Sequence, residues 1–177
     1  IYLLKISLSY WGIRLTNMQE SKLITILRTL TPEEFYKFHE FVISPFFNKN
    51  KNIISLFNFI KKYYPKFNNN SFTKEKGFSS IFPNDRFNDS KLRILMAKLL
   101  NLLEDYMAYL HLSNDKSLKC ISVQRMIRNK KLIKYYEGYN EATKKTIESF
   151  PYRNYEYFYY KYEYFFEYHN YAVLNDK

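Results

Sequence analysis

The stretch YRNYEYFYYKYEYFFEYHNY, Tyr152 to Tyr171, decides how this chain is read, because aromatic rings crowd a window otherwise filled by Glu, Lys, Arg, Asn and His. On a 3.6-residue period Tyr155, Phe158, Tyr159, Tyr162, Phe165, Phe166 and His169 share one face, and Glu156, Glu163 and Glu167 cluster on another. Tyr157, Tyr164 and Tyr168 form a third face beside Lys161, where a phenol buries its ring and keeps its hydroxyl wet. Strand alternation would put Lys161, Glu163 and Glu167 among the rings, so the window predicts a helix. Six exposed rings of about 150 Å² each would make a patch of about 900 Å², above the few hundred usual for a monomer. The expectation is therefore that neighbouring helices cover the face from Tyr155 to His169, with a protein partner and then stacked bases as the alternatives.

Outward from that window the composition agrees. The chain has 177 residues, is 46% hydrophobic and holds only 3 Gly and 5 Pro, too few for the turns of a many-stranded β fold. The expected fold class is all-α: a helical bundle leading into antiparallel helix-pair, α-solenoid-like packing, with about seven helices in a single domain over 18–177. Ile1 to Asn17 reads as a peripheral segment, with a weak strand suggested by Leu4, Ile6, Leu8 and Tyr10 alternating with polar residues. The chain starts at Ile, with Met18 a second candidate start, so a fragment, a processed product or a mis-set start is expected.

Several helix boundaries are explicit. SKLITILRTL sets Leu23, Ile26, Leu27 and Leu30 on one face. In TPEEF, Thr31 reads as N-cap, Pro32 as N1 and Glu34 as N3 of a capping box, with Leu30 and Phe35 as a hydrophobic staple. Phe35, Phe38, Phe41 and Val42 form the stripe behind it, ending near Ser44 before Pro45. Asn48, Asn50 and Asn52 are candidate caps for a helix carrying Ile53, Phe57, Ile60 and Tyr64, and Thr73 for a short one weakened by Gly77. Ser90 reads as the cap of the strongest helix, with Leu92, Leu95, Met96, Leu99, Leu102, Leu103, Tyr106 and Leu110 at helical spacing.

Sites of known chemistry are harder to write. His39, His111 and His169 are scattered, and the single Cys120 lies on an apolar helical run, so no metal centre or cofactor site is expected. Three glycines allow neither a phosphate-binding loop nor a dinucleotide fingerprint. Glu104 and Asp105 adjoin, but successive helical residues diverge by about 100° and make no paired-carboxylate site. No segment reaches the roughly 18 apolar residues of a membrane span, and a cytoplasmic location is expected. Lys and Arg exceed Asp and Glu by 28 to 17. The candidate anion or nucleic-acid contacts are Lys116, Lys119, Arg125, Arg128, Lys130, Lys131 and Lys134, around a helix end and turn, where the same cations would also complement a helix dipole.

The succession LTPEEFYKFHEFVISPFFNKNKNIISLFNFIKKYYP, FTKEKGFSSIFP and KLRILMAKLLNLLEDYM resembles a group of uncharacterised helical proteins of Bacteroidota-type bacteria, whose later parts are similar to tetratricopeptide-like helix pairs. The likeness spans Met18 to about Val173 and rests most on SPFFN and on the spacing from FP to KLR. It implies a fold, no activity, and further helices beyond Lys177. The helix pairs lack the small-residue and proline signature of a true tetratricopeptide repeat. The expectation for function is a non-enzymatic protein-interaction or scaffold module with a protein partner; the alternative is a nucleic-acid-binding regulator using Lys116 to Lys134.

Overall fold

The computed structural model describes residues 18–175, which form helices joined by turns and loops, with no strand among them. Eight α-helices follow a 3₁₀ turn at Met18–Glu20: α1 Lys22–Leu27, α2 Pro32–Ile43, α3 Lys51–Lys61, α4 Lys74–Ile81, α5 Asp89–Asn114, α6 Lys116–Asn129, α7 Ile133–Glu148 and α8 Tyr155–Asn175. The all-α, helix-on-helix expectation holds, with eight helices for about seven. The weak strand expected over Leu4 to Tyr10 lies outside the described residues. Two compact units divide the chain after Tyr106, within α5.

In the first unit the caps do what their residue types dictate. Thr31 accepts the Glu34 amide, and the Glu34 carboxylate accepts the Thr31 amide at 2.8 Å, closing the capping box at the start of α2. Asn50 caps α3 and Thr73 caps α4. For α5 the cap is Asn88, not Ser90: its side-chain oxygen accepts the Lys91 amide at 2.9 Å, the third amide of the helix, whereas Ser90 already lies inside it. On α1 it is Ile24, with Leu23 and Leu27, that is buried, and Ile26 is only half-buried.

The α2 stripe Phe35, Phe38, Phe41 and Val42 is buried as read. Phe38 meets Phe57 edge-on at 5.2 Å between ring centres, and Tyr106 donates to the Glu34 carbonyl at 2.7 Å, tying α5 to the first turn of α2. Asn48, buried in the SPFFN loop, donates to the Val42 carbonyl and accepts the Asn50 amide, both at 2.9 Å, so one side chain closes α2 and opens α3. Gly77 has a packing reason: a Cβ there would sit 3.2 Å from Cε1 of Phe59, a tight contact that the Phe59 ring would have to relieve by a few tenths of an ångström. The long run on α5 buries Leu92 through Tyr106 as read, while Leu110 is half-buried.

The second unit is a three-helix stack. Gln124 bonds Tyr136 and Asn140, and Cys120 lies 3.8 Å from Thr146, so α6 and α7 run antiparallel. Glu148 accepts from Tyr157, and Tyr136 stacks on Tyr171 at 3.6 Å, so α7 and α8 are antiparallel as well. The antiparallel helix pairing expected of the later helices is present. The apolar centre is Ile121, Ile147, Tyr157, Tyr160 and Tyr164, flanked by Leu118 and Phe150.

Candidate interaction surfaces of the C-terminal unit

Helix α8 forms where the aromatic window predicts it, but the buried face is a different one. Tyr157, Tyr160, Tyr164 and Glu167 point inward. Tyr155, Phe158, Tyr159, Tyr162, Phe165 and Phe166, expected to pack into the core, are 42–82% exposed, and His169 is exposed with them. The reason lies in the phenol and carboxylate partners that α6 and α7 offer. Tyr157 donates to Glu148 and accepts from Lys161 at 2.7 Å, and Tyr160 donates to the Asp115 carboxylate. The Tyr136 hydroxyl donates to the Glu167 carbonyl at 3.3 Å. Hydroxyls and carboxylates answered in this way at Tyr157, Tyr160 and Glu167 are buried at a reduced desolvation cost, and phenylalanine-bearing positions cannot exploit those partners.

The same geometry divides the basic cluster. Arg128 grips Glu167 through Nε at 2.5 Å and Nη2 at 3.2 Å, and Arg125 reaches Glu167 at 3.3 Å and Glu163 at 3.1 Å. Glu167 is fully buried, which two guanidinium groups make tolerable, and its hydrogen bond raises the pKa of Arg128 above the ordinary value. Lys116 and Lys119 sit at the start of α6, whereas Lys130, Lys131 and Lys134 surround its end, about 21 Å away along the helix. Five lysines are exposed and two arginines are committed to carboxylates. Sequence reading missed Glu163 and Glu167 as the partners. Their four-residue spacing on α8 matches the three-residue spacing of Arg125 and Arg128, a signal visible only once the two helices are placed side by side.

Other candidate chemistry stays dispersed. A cleft of about 550 Å³ lies beside the start of α6, lined by His111, Asp115, Lys116, Glu156 and Tyr160 among others. The Asp115 carboxylate on its wall is already engaged twice, by the Leu118 amide at 2.8 Å and by Tyr160. His39 stacks on Phe57, and burial, then the neighbouring Lys61, pushes its pKa down. Among the described residues no three of His, Cys, Asp and Glu are grouped to hold a metal ion, and no helix is long and apolar enough to cross a membrane.

Comparison with known proteins adds no assignment: no protein-family model, no curated protein and no solved structure matches this chain.

Proposed function

We propose that this chain is a non-enzymatic helical protein-interaction module, and that the outward face of α8 receives an amphipathic helix of a protein partner. The observation that carries the reading is the aromatic stripe from Tyr155 to Phe166. Six rings at these exposures leave on the order of 500 Å² of ring surface uncovered, at the same ~150 Å² per ring. That is the upper part of the roughly 300–600 Å² range for the largest apolar patch of a monomer, a patch often functional, and over half of the about 800 Å² on one side of a standard interface. The rings recur at three- and four-residue spacing, the pattern that a second helix fills knob by hole. Antiparallel stacking of α6, α7 and α8 makes an added helix the natural continuation of the layer. The ion pairs of Arg125 and Arg128 favour protein binding over phosphate binding, because both guanidinium groups already hold carboxylates.

The test is site-specific photo-crosslinking. Benzoylphenylalanine at Tyr162 or Phe165 is expected to trap one defined protein in the source cells, whereas the same group at Tyr36, an isolated exposed ring on α2, traps none. Tyr162→Lys with Phe165→Lys is expected to abolish the complex without changing the circular dichroism spectrum. A second copy of the chain in the crosslink would identify the occupant as self. Equal trapping from Tyr36 and Tyr162, or a complex that survives the double substitution, overturns the assignment to this face.

A further inference from the structure

The turn from α6 to α7 has a composition that the protein-interaction reading does not use. Six consecutive residues, Lys130-Lys131-Leu132-Ile133-Lys134-Tyr135, are all exposed. Helix α6 closes in a Schellman motif, the Leu132 amide donating to the Ile127 carbonyl at 3.0 Å and the Lys131 amide to the Arg128 carbonyl at 2.8 Å. The motif requires a left-handed residue, and Lys131 supplies it with φ of 57° where glycine is the low-strain choice. None of the three lysines pairs with a carboxylate among the described residues, in contrast to Arg125 and Arg128 one and two turns earlier. Leu132 and Ile133, 39% and 52% exposed, stand between them at the tip, and Tyr135 follows with the Lys134 ammonium 5.9 Å from its ring centre.

We propose that this turn is a docking site for an anionic lipid surface. Lys130, Lys131 and Lys134 meet the phosphate and carboxylate headgroups while Leu132, Ile133 and Tyr135 enter the boundary between headgroups and acyl chains. Aliphatic side chains at the apex distinguish this occupant from a nucleic acid. A phosphate backbone offers Leu132 and Ile133 nothing to bury against and they cannot stack on bases, whereas a bilayer gains from both parts of the tip at once. Lysine stems lie along apolar surface with the ammonium group directed to the headgroups, so cations and aliphatic groups on one turn do not compete for depth. Each lysine near an anionic leaflet strengthens binding by about fivefold. A turn between two helices enters the interface without unfolding either, and docking asks for no membrane-spanning helix. A left-handed Lys131 has the same logic: a cation is kept at the apex in a backbone conformation that favours glycine.

The experiment is cosedimentation of the full chain with extruded vesicles of phosphatidylcholine containing roughly one-third phosphatidylserine, against phosphatidylcholine alone and against duplex DNA at matched salt. Binding is expected to the anionic vesicles only. Leu132→Ser with Ile133→Ser should weaken it about tenfold or more, as should Lys130→Glu with Lys134→Glu. Lys131→Gly is expected to raise the thermal midpoint and lower vesicle affinity about fivefold; a purely structural Lys131 would change the first and not the second. Equal sedimentation with neutral and anionic vesicles, or full binding by the Leu132→Ser/Ile133→Ser variant, overturns the proposal. DNA binding as tight as vesicle binding and indifferent to those two serines would make the turn a general polyanion site, which overturns it too.

Discussion

The two units are both dense in aromatic residues, yet they bury different chemistry. In the first, the interior among the described residues is Phe, Leu, Ile, Val and Met, with the phenol Tyr106 and the amide Asn48. In the second, Ser117, Gln124, Asn140, Thr143 and Glu167 are buried alongside Tyr136, Tyr157, Tyr160 and Tyr164. The first is held by apolar transfer and ring packing, which are non-directional and respond mainly to lost volume. The second is held also by specific polar contacts among Gln124, Tyr136, Asn140, Glu167 and the α6 arginines, where a lost partner leaves an uncompensated charge or donor, although Gln124 Oε1 itself is buried without a partner among the described residues. The contrast also sets where apolar surface ends up: the first unit seals most of its rings, while the second buries hydroxyls and leaves the α8 phenylalanines outside.

Substitutions that delete volume should therefore dominate in the first unit. Phe38 is completely buried and touches Phe57 and Tyr106, so Phe38→Ala is expected to cost about 3–5 kcal/mol of unfolding free energy in urea titration. A loss under about 1 kcal/mol would mean that the ring cluster is no core at all. In the second unit the corresponding blow falls on charge. Arg128→Ala strands the buried Glu167 with only the more exposed Arg125, at a cost of about 3 kcal/mol, and Arg128→Met combined with Glu167→Leu should recover most of that loss. If the double variant is as unstable as Arg128→Ala alone, the ion pair is not the source of the cost.

Alkaline titration probes both units at once. Burial pushes the Tyr136 hydroxyl from 10.0 up to about 12, and burial with the charges of Glu34 and Glu33 does the same to Tyr106. The folded protein holds these phenols neutral, so their contribution is complete below pH 10 and lost as pH rises towards 12. It amounts to about 2–3 kcal/mol per buried tyrosine. Near-ultraviolet absorbance should show the exposed tyrosines ionising first and these two lagging until the fold is lost. Ionisation of all tyrosines together near pH 10, with the helical signal intact, would contradict the burial of both.

A smaller effect isolates one hydrogen bond of the network. Tyr160 donates to Asp115, whose other oxygen caps α6 through the Leu118 amide. Tyr160→Phe removes that donor and keeps the ring, so a loss of about 1–2 kcal/mol is expected by urea titration, and Asp115→Asn should partly mask it in a double-mutant cycle. Strict additivity of the two substitutions would show that the hydroxyl and the carboxylate do not interact.

How much of this was legible depends on whether the deciding partner was local. The capping box at Thr31, the stripe from Phe35 to Val42 and the run from Leu92 to Tyr106 follow from spacing within one helix, and all are found. Gly77 looked like a weakness because its reason, the Phe59 ring, lies on another helix. The α8 face failed for the same cause. Within the window the Phe-bearing stripe is the more apolar, and nothing local reveals that Glu148, Asp115 and the arginines of α6 stand ready for the phenols and carboxylates of the other side. Of the basic cluster, the residues were readable but their division into paired arginines and open lysines was not, since Glu163 and Glu167 are about forty positions away.

The α8 comparison can be sharpened most by the substitution expected to do least. Tyr162 is 64% exposed and lies two positions before Tyr164, which is 8% exposed and part of the apolar centre of its unit. Tyr164→Ala opens a cavity between α7 and α8 and should destabilise by about 3 kcal/mol. Tyr162→Ser removes a ring that the solvent already reaches, so unfolding free energy should change by no more than about 0.5 kcal/mol. What Tyr162→Ser should alter is surface: less dye binding to exposed apolar groups and greater solubility at high concentration. Were Tyr162→Ser the costlier of the pair in thermal melts, the inner and outer faces of α8 would have to be exchanged, and with them the covering of the stripe by a partner. A stable, more soluble Tyr162→Ser protein instead leaves the outer rings with no part in the fold, which is the condition a docking surface must meet.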